Sequence, residues 1–558
     1  MIMVMYALVI VKSRRRVDEL YYQVPQKIIP FISVGSQVVV PILSRTVRGI
    51  VYKITRRLPS HLRGRTKPIA KVVPGIKFTS RQLRLVDKLS SSSAATLAEA
   101  AFLALGKPWK KEPLGRDQGG NAKPLFIQAA PVKRFEMYIQ LAKRFPSQQF
   151  LVIFAQNSFL GDFLQRNLPP NISAGTIKDI FKQLTEGDFL IIDQPSHIGA
   201  RFKLRPYFDA TFISEIRAEA ERLRLVFGDV LPRPDQYQKI TEGKWRVYKE
   251  PVKPMNLTIF SGPTSQEMLL ESTARQISQT VDRGGRVLIL VAAKGHSQAL
   301  MCLNCRHIFK CNRCKRPIAV QISHLKCRYC ANEQDKPSIC PVCAAGNLKS
   351  LGFGASKLTE LIKRRFERYR VQELSGDSVD LRPDSQIVVA TEKIFSYSSI
   401  LFEASFILDP DRFLAGTNIE ASWRLFYQLL LLKNCSKSLS VQTTFAEHPI
   451  WVEAASESDN FLRRIIAERK KYRLPPFVKT VEFIGHFSAR SDTEAEVEKL
   501  KEFAAQHFQE AEFPDYEITR QSAGRLTVSQ HLLCRRLSLV KLRLLRQELP
   551  PKWFPYVS

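Results

Sequence analysis

Eight of the ten cysteines in this chain fall in one short stretch, where they form four CxxC pairs. Two residues between paired ligands let both sulfurs face one ion from a tight turn, and tetrahedral zinc takes four thiolates. Four pairs therefore predict two structural Zn²⁺ ions, with no open coordination position for catalysis. The predicted metal ligands are Cys302, Cys305, Cys311, Cys314, Cys327, Cys330, Cys340 and Cys343.

The spacing of the four pairs leaves open which pairs share an ion. Five residues separate the first two pairs, twelve the middle two and nine the last two. A nested arrangement joins the first pair with the fourth, whereas a sequential arrangement joins neighbours. An iron–sulfur cluster or a set of free redox cysteines is the alternative to zinc. The two isolated cysteines, Cys435 and Cys534, are expected to be buried structural thiols.

The chain is also strongly basic. Its 558 residues include 85 Lys and Arg against 52 Asp and Glu, which gives a formal net charge of +33. Such a surplus favours a polyanionic partner, either nucleic acid or an anionic membrane. No apolar run is as long as the roughly 18 residues of a spanning helix, and the apolar Met1–Val11 precedes the cations Arg14–Arg16, which is the reverse of a signal peptide. We therefore expect a cytoplasmic protein that binds nucleic acid rather than membrane.

Composition and hydrophobic patterning divide the chain into five parts. Short β-branched runs broken by Pro and Gly predict a basic, β-rich domain over 1–105, and 106–124 is a linker by composition. Apolar strands that alternate with helical segments predict parallel α/β blocks over 125–250 and 251–455, with the cysteine stretch, 300–350, inserted in the second. The remaining residues, 456–558, predict a mixed α+β domain. The fold class is therefore α/β, with a β-rich domain in front.

Five short motifs follow one another along the chain: Tyr22-Gln23-Val24-Pro25, Val38-Val39-Val40-Pro41, the cysteine stretch from Met301 to Cys343, Gln442-Thr443 with His448-Pro449, and Leu474-Pro475-Pro476-Phe477. In this order they resemble the PriA family of replication-restart helicases, also called primosomal protein N′. The first two motifs resemble paired strands of that family's DNA-binding domain. The resemblance extends over nearly the whole chain.

The resemblance implies two RecA-like helicase lobes with a zinc insertion in the second, an N-terminal DNA-binding domain and a C-terminal α+β domain. It implies nested pairing, with Cys302, Cys305, Cys340 and Cys343 on one zinc. It also implies single-stranded or forked DNA and replication-restart proteins as partners, and a bacterial, nucleoid-associated location. The candidate DNA contacts are Arg45, Arg48, Lys53, Lys67, Lys315 and Arg316, of which Lys67 falls where the family has a basic pocket residue.

The nucleotide-binding motifs depart from that family. The sequence contains no Gly-Lys-Ser or Gly-Lys-Thr, and the loop expected to cradle phosphates, 128–134, lacks glycine and contains Pro131, which has no amide donor. The expected acidic pair after the strand 189–192 is reduced to Asp193 beside Gln194. A lone Asp at a strand end is more often a cap or turn residue than a magnesium ligand. The loop and the strand end therefore predict a defective phosphate and magnesium site.

Three further departures concern the arginine-finger helix, the winged-helix domain and the residues that contact a DNA 3′ end. The stretch 428–435, where the arginine-finger helix is expected, contains neither arginine, and its four consecutive leucines predict buried packing. The family's separate winged-helix domain is missing between the linker and the first α/β block. Leu20-Tyr21 and Ile42-Leu43 replace the residues that face a DNA 3′ end in that family. General phosphate binding is expected to remain.

We therefore expect a PriA-like DNA-binding protein of replication restart and primosome assembly, with structural zinc and a lost ATPase site. Lys133 and Asp193 are the remaining candidates for contacts to ATP and Mg²⁺, and nucleotide binding without hydrolysis is left open. One alternative is a divergent ATP-dependent DNA helicase that uses Lys133, Asp193 and Asp409. Another is a zinc-ribbon scaffold that assembles replication proteins.

Overall fold

The computed structural model describes residues 4–11, 20–42, 45–59, 62, 64–93, 95–105, 122–201, 208–251, 256–262, 268–291, 299–302, 304–305, 307, 309–312, 318–320, 324–326, 333–351, 355–375, 380–397, 400–408, 410–414, 420–456, 458–487, 490–508, 517–520, 526–534, 541–542, 544–545, 548–550 and 552–557. Within these ranges, no helix combines the length and the apolar character needed to cross a membrane.

The N-terminal part is an antiparallel sheet followed by two helices. Its elements are β1 (Met5–Val11), β2 (Tyr21–Val24), β3 (Ser36–Ile42), β4 (Arg45–Thr55), β5 (Lys71–Lys77), α1 (Ser80–Ser91) and α2 (Leu97–Ala104). The strand order is β2-β1-β4-β3-β5. Alternate β-branched residues such as Val9, Val38 and Val51 bury one face of this sheet. Capping boxes built on Thr79 and Thr96 begin the two helices.

The next part, here called the first lobe, is a parallel sheet with helices between its strands. Its elements are β6 (Leu125–Gln128), α3 (Pro131–Arg144), β7 (Phe150–Phe154), α4 (Asn157–Leu164), β8 (Ile172–Thr176), β9 (Phe189–Asp193), α5 (Ala210–Glu221), β10 (Arg224–Asp229), α6 (Pro234–Thr241) and β11 (Arg246–Lys249). The order is β11-β6-β10-β9-β7-β8, with parallel pairing throughout. The carboxyl ends of β6, β10 and β9 are therefore neighbours, which is where parallel sheets bind ligands.

The helices α1 and α2 pack against the first lobe. The side chain of Arg81 on α1 donates a hydrogen bond to the carbonyl oxygen of Glu221 at the end of α5. Leu85 and Leu89 of α1 are buried in the same apolar cluster as Leu190 of β9. The predicted β-rich domain and the first α/β block therefore share one core. Most of the linker predicted between them lies outside the described residues.

A second parallel sheet, here called the second lobe, carries the cysteine stretch as an insertion between β13 and α8. Its elements are β12 (Leu257–Ser261), α7 (Glu271–Asp282), β13 (Val287–Leu290), β14 (Ala299–Cys302), β15 (Ala319–Val320), β16 (His324–Lys326), β17 (Glu333–Asp335), β18 (Leu348–Leu351), α8 (Ala355–Arg365), β19 (Val371–Leu374), β20 (Ile387–Ala390), β21 (Phe402–Ile407), α9 (Asp411–Leu414), α10 (Ala421–Cys435), β22 (Ser436–Thr443) and α11 (Ile450–Ala455). The large sheet has the order β12-β22-β21-β13-β20-β19 with parallel pairing. The two parallel sheets have the α/β character expected of RecA-like lobes.

The C-terminal part combines two helices with an antiparallel sheet. Its elements are α12 (Ser458–Lys471), β23 (Lys479–Phe487), α13 (Arg490–His507), β24 (Glu517–Arg520), β25 (Leu526–Cys534) and β26 (Trp553–Val557). The strand order is β24-β25-β23-β26. Leu500 and Phe503 of α13 pack on Val481 and Phe483 of β23, and Leu300 of the cysteine stretch belongs to the same apolar cluster.

Candidate metal centre and nucleotide cleft

Four cysteines from the two ends of the cysteine stretch come together in the structure. The sulfurs of Cys302, Cys305, Cys340 and Cys343 all lie within 4.8 Å of one another. The Sγ atoms of Cys302 and Cys343 are 3.5 Å apart, and those of Cys305 and Cys340 are 3.6 Å apart. Tetrahedral zinc, with Zn–S bonds of about 2.3 Å, separates its sulfurs by roughly 3.8 Å. The chemistry and spacing of these four residues, which nested pairing assigns to one ion, therefore fit Zn²⁺.

Backbone hydrogen bonds fix the turns that carry these sulfurs. Cys302 ends β14, and the ladder between β14 and β18 brings the two ends of the insertion side by side. In the later turn the Cys340 N–H donates to the carbonyl oxygen of Ala345 at 2.9 Å, and the Ala344 N–H donates to that of Cys340 at 2.9 Å. The Val342 N–H lies 3.4 Å from Cys340 Sγ, a contact that favours a thiolate.

The thiols of this cluster do not ionise independently. Hydrogen bonds from the Asn304 side chain and then from the Ala345 backbone lower the pKa of Cys343 to about 6. At Cys305 a backbone hydrogen bond at His307 lowers the pKa, but desolvation and hydrogen bonds with the neighbouring sulfurs outweigh it and raise the pKa to about 12. Sulfurs this close cannot all be thiolates unless a cation compensates their charge. The cluster is therefore suited to a divalent cation.

The other cysteines are only partly described. Cys311 is buried in the apolar cluster beneath the insertion. Its predicted partners Cys314, Cys327 and Cys330 lie outside the described residues, and so does the side chain of Cys534. At the end of α10, burial raises the pKa of Cys435 to about 12, and its thiol donates to the Leu432 carbonyl oxygen at 3.5 Å. Cys435 is thus bonded within its own helix, but it is half-buried rather than buried as the sequence predicts.

A buried ion pair closes the carboxyl edge of the first lobe. Arg134, in the first turn of α3, places Nε 2.8 Å from Oδ1 of Asp193 and Nη2 3.0 Å from Oδ2. Neither side chain is exposed. Nη1 of Arg134 donates to the carbonyl oxygen of Ala129 at 2.7 Å, which fixes the loop between β6 and α3. Asp193 is therefore an ion-pair residue rather than the cap or turn residue that the sequence predicts, and Arg134 engages both of the oxygens that would bind Mg²⁺.

A tyrosine completes this pair. Tyr138, one turn after Arg134 on α3, donates its hydroxyl to Oδ1 of Asp193 at 2.8 Å. Burial, and then the Asp193 charge, raises the pKa of Tyr138 well above its ordinary value. A Cβ atom at Gly228 of β10 would lie 1.7 Å from the Tyr138 hydroxyl oxygen. The tyrosine hydroxyl therefore occupies the space above β10, and glycine at position 228 makes this possible.

Asp229 lies at the end of β10 beside the ion pair and is fully buried. Its Oδ1 accepts hydrogen bonds from the Val230 N–H and from the Tyr427 hydroxyl of the second lobe, both at 2.8 Å. Burial raises the pKa of Asp229 to about 6, although the charge of Arg134 lowers it in part. Sequence reasoning missed Arg134, Asp229 and Tyr427. A signal for Asp229 was present, because it ends an apolar strand just as Asp193 does.

The other predicted nucleotide contacts lie apart from this network. Lys133 is 43% exposed and pairs with Glu136 at 3.2 Å on the same helix. Asp409 lies outside the described residues. The helix α10 covers the place where arginine fingers were expected, and its Leu429 and Leu432 are fully buried, in agreement with the packing expected from the sequence.

Two of the candidate DNA contacts share one face of β4. Arg48 and Lys53 are both exposed. Five residues apart, they would lie on opposite faces of a regular strand. The register of β4 against β1 shifts between Leu8 and Val9, and the extra residue, Tyr52, restores a common face. The bulge therefore presents both cations on the same side.

The other candidate DNA contacts are spread out. Arg45, at the start of β4, is exposed. Lys67 is exposed as well, and its carbonyl oxygen accepts a hydrogen bond from the Gln23 N–H at 3.0 Å, so this segment runs beside β2. Lys315 and Arg316 lie outside the described residues.

Comparison with known proteins finds similarity to the same family that the motifs resemble. Residues 9–106 match the family model of the PriA 3′DNA-binding domain (3′BD). The chain is 24% identical over 333 residues to replication restart protein PriA of Thermotoga maritima, covering 55% of this chain and 45% of that protein. It is 21% identical over 349 residues to PriA of Treponema pallidum, covering 57% of this chain and 52% of that protein. It is 20% identical over 337 residues to PriA of Haemophilus influenzae, covering 55% of this chain and 46% of that protein.

Similarity to solved structures is weaker. Escherichia coli DEAH/RHA helicase HrpB aligns with 58% of this chain and 41% of that chain, at 9% identity and a TM-score of 0.32, which is too low to bear on the fold. The chain spans about half the length of the curated relatives it matches. The resemblance indicated by the motifs is nevertheless confirmed: this chain is similar to replication restart protein PriA, and its N-terminal sheet and first two helices match that protein's 3′DNA-binding domain.

Proposed function

We propose that this chain is a DNA-binding protein of replication restart and primosome assembly. The observation that carries the proposal is the match of residues 9–106 to the PriA 3′DNA-binding domain. Single-stranded or forked DNA is the proposed ligand, and replication-restart proteins are the proposed protein partners. The proposed location is the bacterial cytoplasm, in association with the nucleoid.

DNA would be held mainly through its phosphates. The net charge of +33 attracts a polyanion from any direction, and the shared face of Arg48 and Lys53 offers two cations without ion-pair partners among the described residues. Phosphate contacts release condensed counterions, so binding of this kind weakens steeply as salt rises. The proposed division of labour follows the predicted domains: DNA contacts in 1–105, the two lobes in 125–250 and 251–455, and a C-terminal domain in 456–558.

The proposed cofactors are two structural Zn²⁺ ions in the insertion 300–350. The cluster of Cys302, Cys305, Cys340 and Cys343 supports the first ion, and Cys311 with its three partners would hold the second. Four thiolates leave zinc no position for water or substrate. The ions would therefore hold the insertion in shape rather than take part in a reaction.

We propose further that the ATPase site is lost. Phosphate cradles use backbone amides, a lysine and a carboxylate that binds Mg²⁺. In this chain the two oxygens of Asp193 pair with Arg134, and the carbonyl oxygen of Ala129 accepts from the same guanidinium. Pro131 contributes no amide donor. The carboxylate that would bind Mg²⁺ is thus committed to a contact within the chain, and the loop has one amide donor fewer.

One set of measurements on the zinc-loaded full chain tests the proposal. Binding to single-stranded, duplex and forked DNA is titrated at several salt concentrations, and we expect tight binding with a steep salt dependence. A flat salt dependence, or no binding, would refute the DNA-binding proposal. Phosphate release from ATP is measured with and without forked DNA. Sustained, DNA-stimulated release that Lys133→Ala abolishes would instead establish the divergent helicase.

A further inference from the structure

The helix α10 of the second lobe is docked on the first lobe. The Tyr427 hydroxyl donates to Oδ1 of Asp229 at 2.8 Å, and Nε1 of Trp423 donates to the carbonyl oxygen of Pro232 at 3.1 Å. The two donor rings stack one turn apart on α10, with centroids 5.0 Å apart. Both hydrogen bonds end on the segment that leaves β10. The second lobe is therefore attached to the first beside the Arg134–Asp193 pair.

The contact between the lobes is largely apolar, although the Tyr427 side chain within it is only half-buried. Val230 and Leu231 of the first lobe are 6% and 0% exposed. They belong to the same apolar cluster as Trp423 and Phe426 of α10. The Trp423 hydrogen bond is buried in this cluster and is therefore stronger than at a wet surface, because water does not compete for its donor and acceptor. Separating the lobes here would expose apolar surface and break both hydrogen bonds at once.

The contact also continues into the buried network of the first lobe. The charge of Arg134 acts on Asp229 and counteracts part of the penalty of its burial. Burial, and then Asp229, raises the pKa of Tyr427 well above its ordinary value, so the phenol stays protonated and can donate. Polar side chains of α3, of the ends of β9 and β10 and of α10 therefore gather at one edge, with Arg134 and Tyr138 bonded to Asp193 and Tyr427 bonded to Asp229. The loop expected to cradle phosphates, 128–134, lies at this same edge of the first lobe.

We propose that Tyr427 and Trp423 form a latch that holds the two lobes in one closed arrangement without nucleotide. Side chains of the protein itself would then make the contact between the lobes that a bound nucleotide would otherwise make. The arrangement of the lobes is then independent of MgATP. One consequence rests on the proposed function: if the chain binds DNA, its affinity for DNA is also independent of MgATP.

Hydrogen exchange of the full chain, read by mass spectrometry, tests the latch. In the wild type we expect strong protection of segments 229–232 and 421–428, unchanged by millimolar MgATP. The variant Trp423→Phe/Tyr427→Phe keeps an aromatic ring at each position and removes both donors, although the phenyl ring at 423 is smaller than the indole. It is expected to accelerate exchange in the two segments together by about 10-fold or more, since each bond lost is one to a buried acceptor. The matched control Tyr397→Phe removes a tyrosine hydroxyl that bonds only within the second lobe, and it should leave both segments protected.

Two results would overturn the latch. One is exchange in the wild-type segments at the rate of exposed loops. The other is a double variant whose two segments exchange as in the wild type. If the double variant does not fold, Asp229→Asn keeps an oxygen that accepts from Tyr427 and is expected to retain protection, whereas Asp229→Ala is expected to lose it. These measurements distinguish the failure of each proposal. Protection gained at 128–135 on adding MgATP refutes the lost ATPase site, and absence of DNA binding refutes the DNA-binding function. The latch is decided by the exchange rate at 421–428.

Discussion

Arg134 and Asp193 meet through two parallel N–H···O contacts at a point where neither side chain reaches solvent. Paired guanidinium and carboxylate groups satisfy each other's donors and acceptors, which makes their burial tolerable. Because the two charges cancel, this edge of the first lobe offers a phosphate group little net attraction. The same contact orders the loop after β6 through Ala129.

Breaking this pair on one side is expected to be strongly destabilising. Arg134→Ala should lower the free energy of unfolding by about 3–5 kcal/mol, because it leaves the Asp193 carboxylate buried without its partner. Denaturant unfolding of the purified chain measures the loss. The control Arg368→Ala breaks an exposed pair with Asp282 and should cost no more than about 1 kcal/mol. Equal losses in the two variants would contradict the role given to burial.

Asp229 is expected to make stability depend on pH. Its pKa is about 6 in the folded chain against an ordinary 3.8, so the folded state binds the proton more tightly. The stabilising contribution of that proton is complete below pH of about 4 and is lost as the pH rises through about 6. Acidification from about pH 7 to about pH 5 should stabilise the wild type by about 1 kcal/mol more than Asp229→Asn. Thermal unfolding of both proteins at the two pH values checks this, and parallel pH profiles would contradict it.

Metal content is expected to follow the nested cysteine sets. The wild type should hold about two zinc ions, and Cys340→Ser should lose one of them, because three thiolates bind zinc less tightly than four. Elemental analysis of protein purified without added chelator gives the ratio. Cys435→Ser, which removes a structural thiol far from the insertion in sequence, should keep both ions. Full zinc content in Cys340→Ser would show that this cysteine is not a ligand.

The shared face of β4 is expected to contact DNA phosphates. The double variant Arg48→Gln/Lys53→Gln should weaken binding of every DNA sequence alike. The slope of DNA affinity against salt concentration should fall by the share that nearly two phosphate contacts contribute. Fluorescence anisotropy across a salt series measures the slope. Lys437→Gln removes an exposed cation of the second lobe that pairs with Glu403, and it serves as the control. If the slope is the same in both variants, DNA does not lie on this face.

The order of elements could be predicted from local patterns, but the contacts between distant segments could not. Alternating apolar strands and helices predicted two α/β blocks, and CxxC spacing predicted cysteine ligands to metal, since both signals are carried by neighbouring residues. Which CxxC pairs come together was indicated only by the family resemblance. The pairing of Arg134 with Asp193 depends on β10 lying between β6 and β9, an order that no local pattern contains. The common face of Arg48 and Lys53 likewise depends on a register shift between β4 and β1, which exists only once the strands pair.

The packing of α1 on the first lobe has a mechanical consequence. Because Leu85 and Leu89 share a core with Leu190, the N-terminal sheet cannot rotate freely relative to the first lobe. A DNA strand gripped on β4 would leave the protein at an angle fixed by the fold. A branch whose arms match that angle would then be favoured over one that must bend, so the geometry of a junction, rather than its base sequence, would be selected.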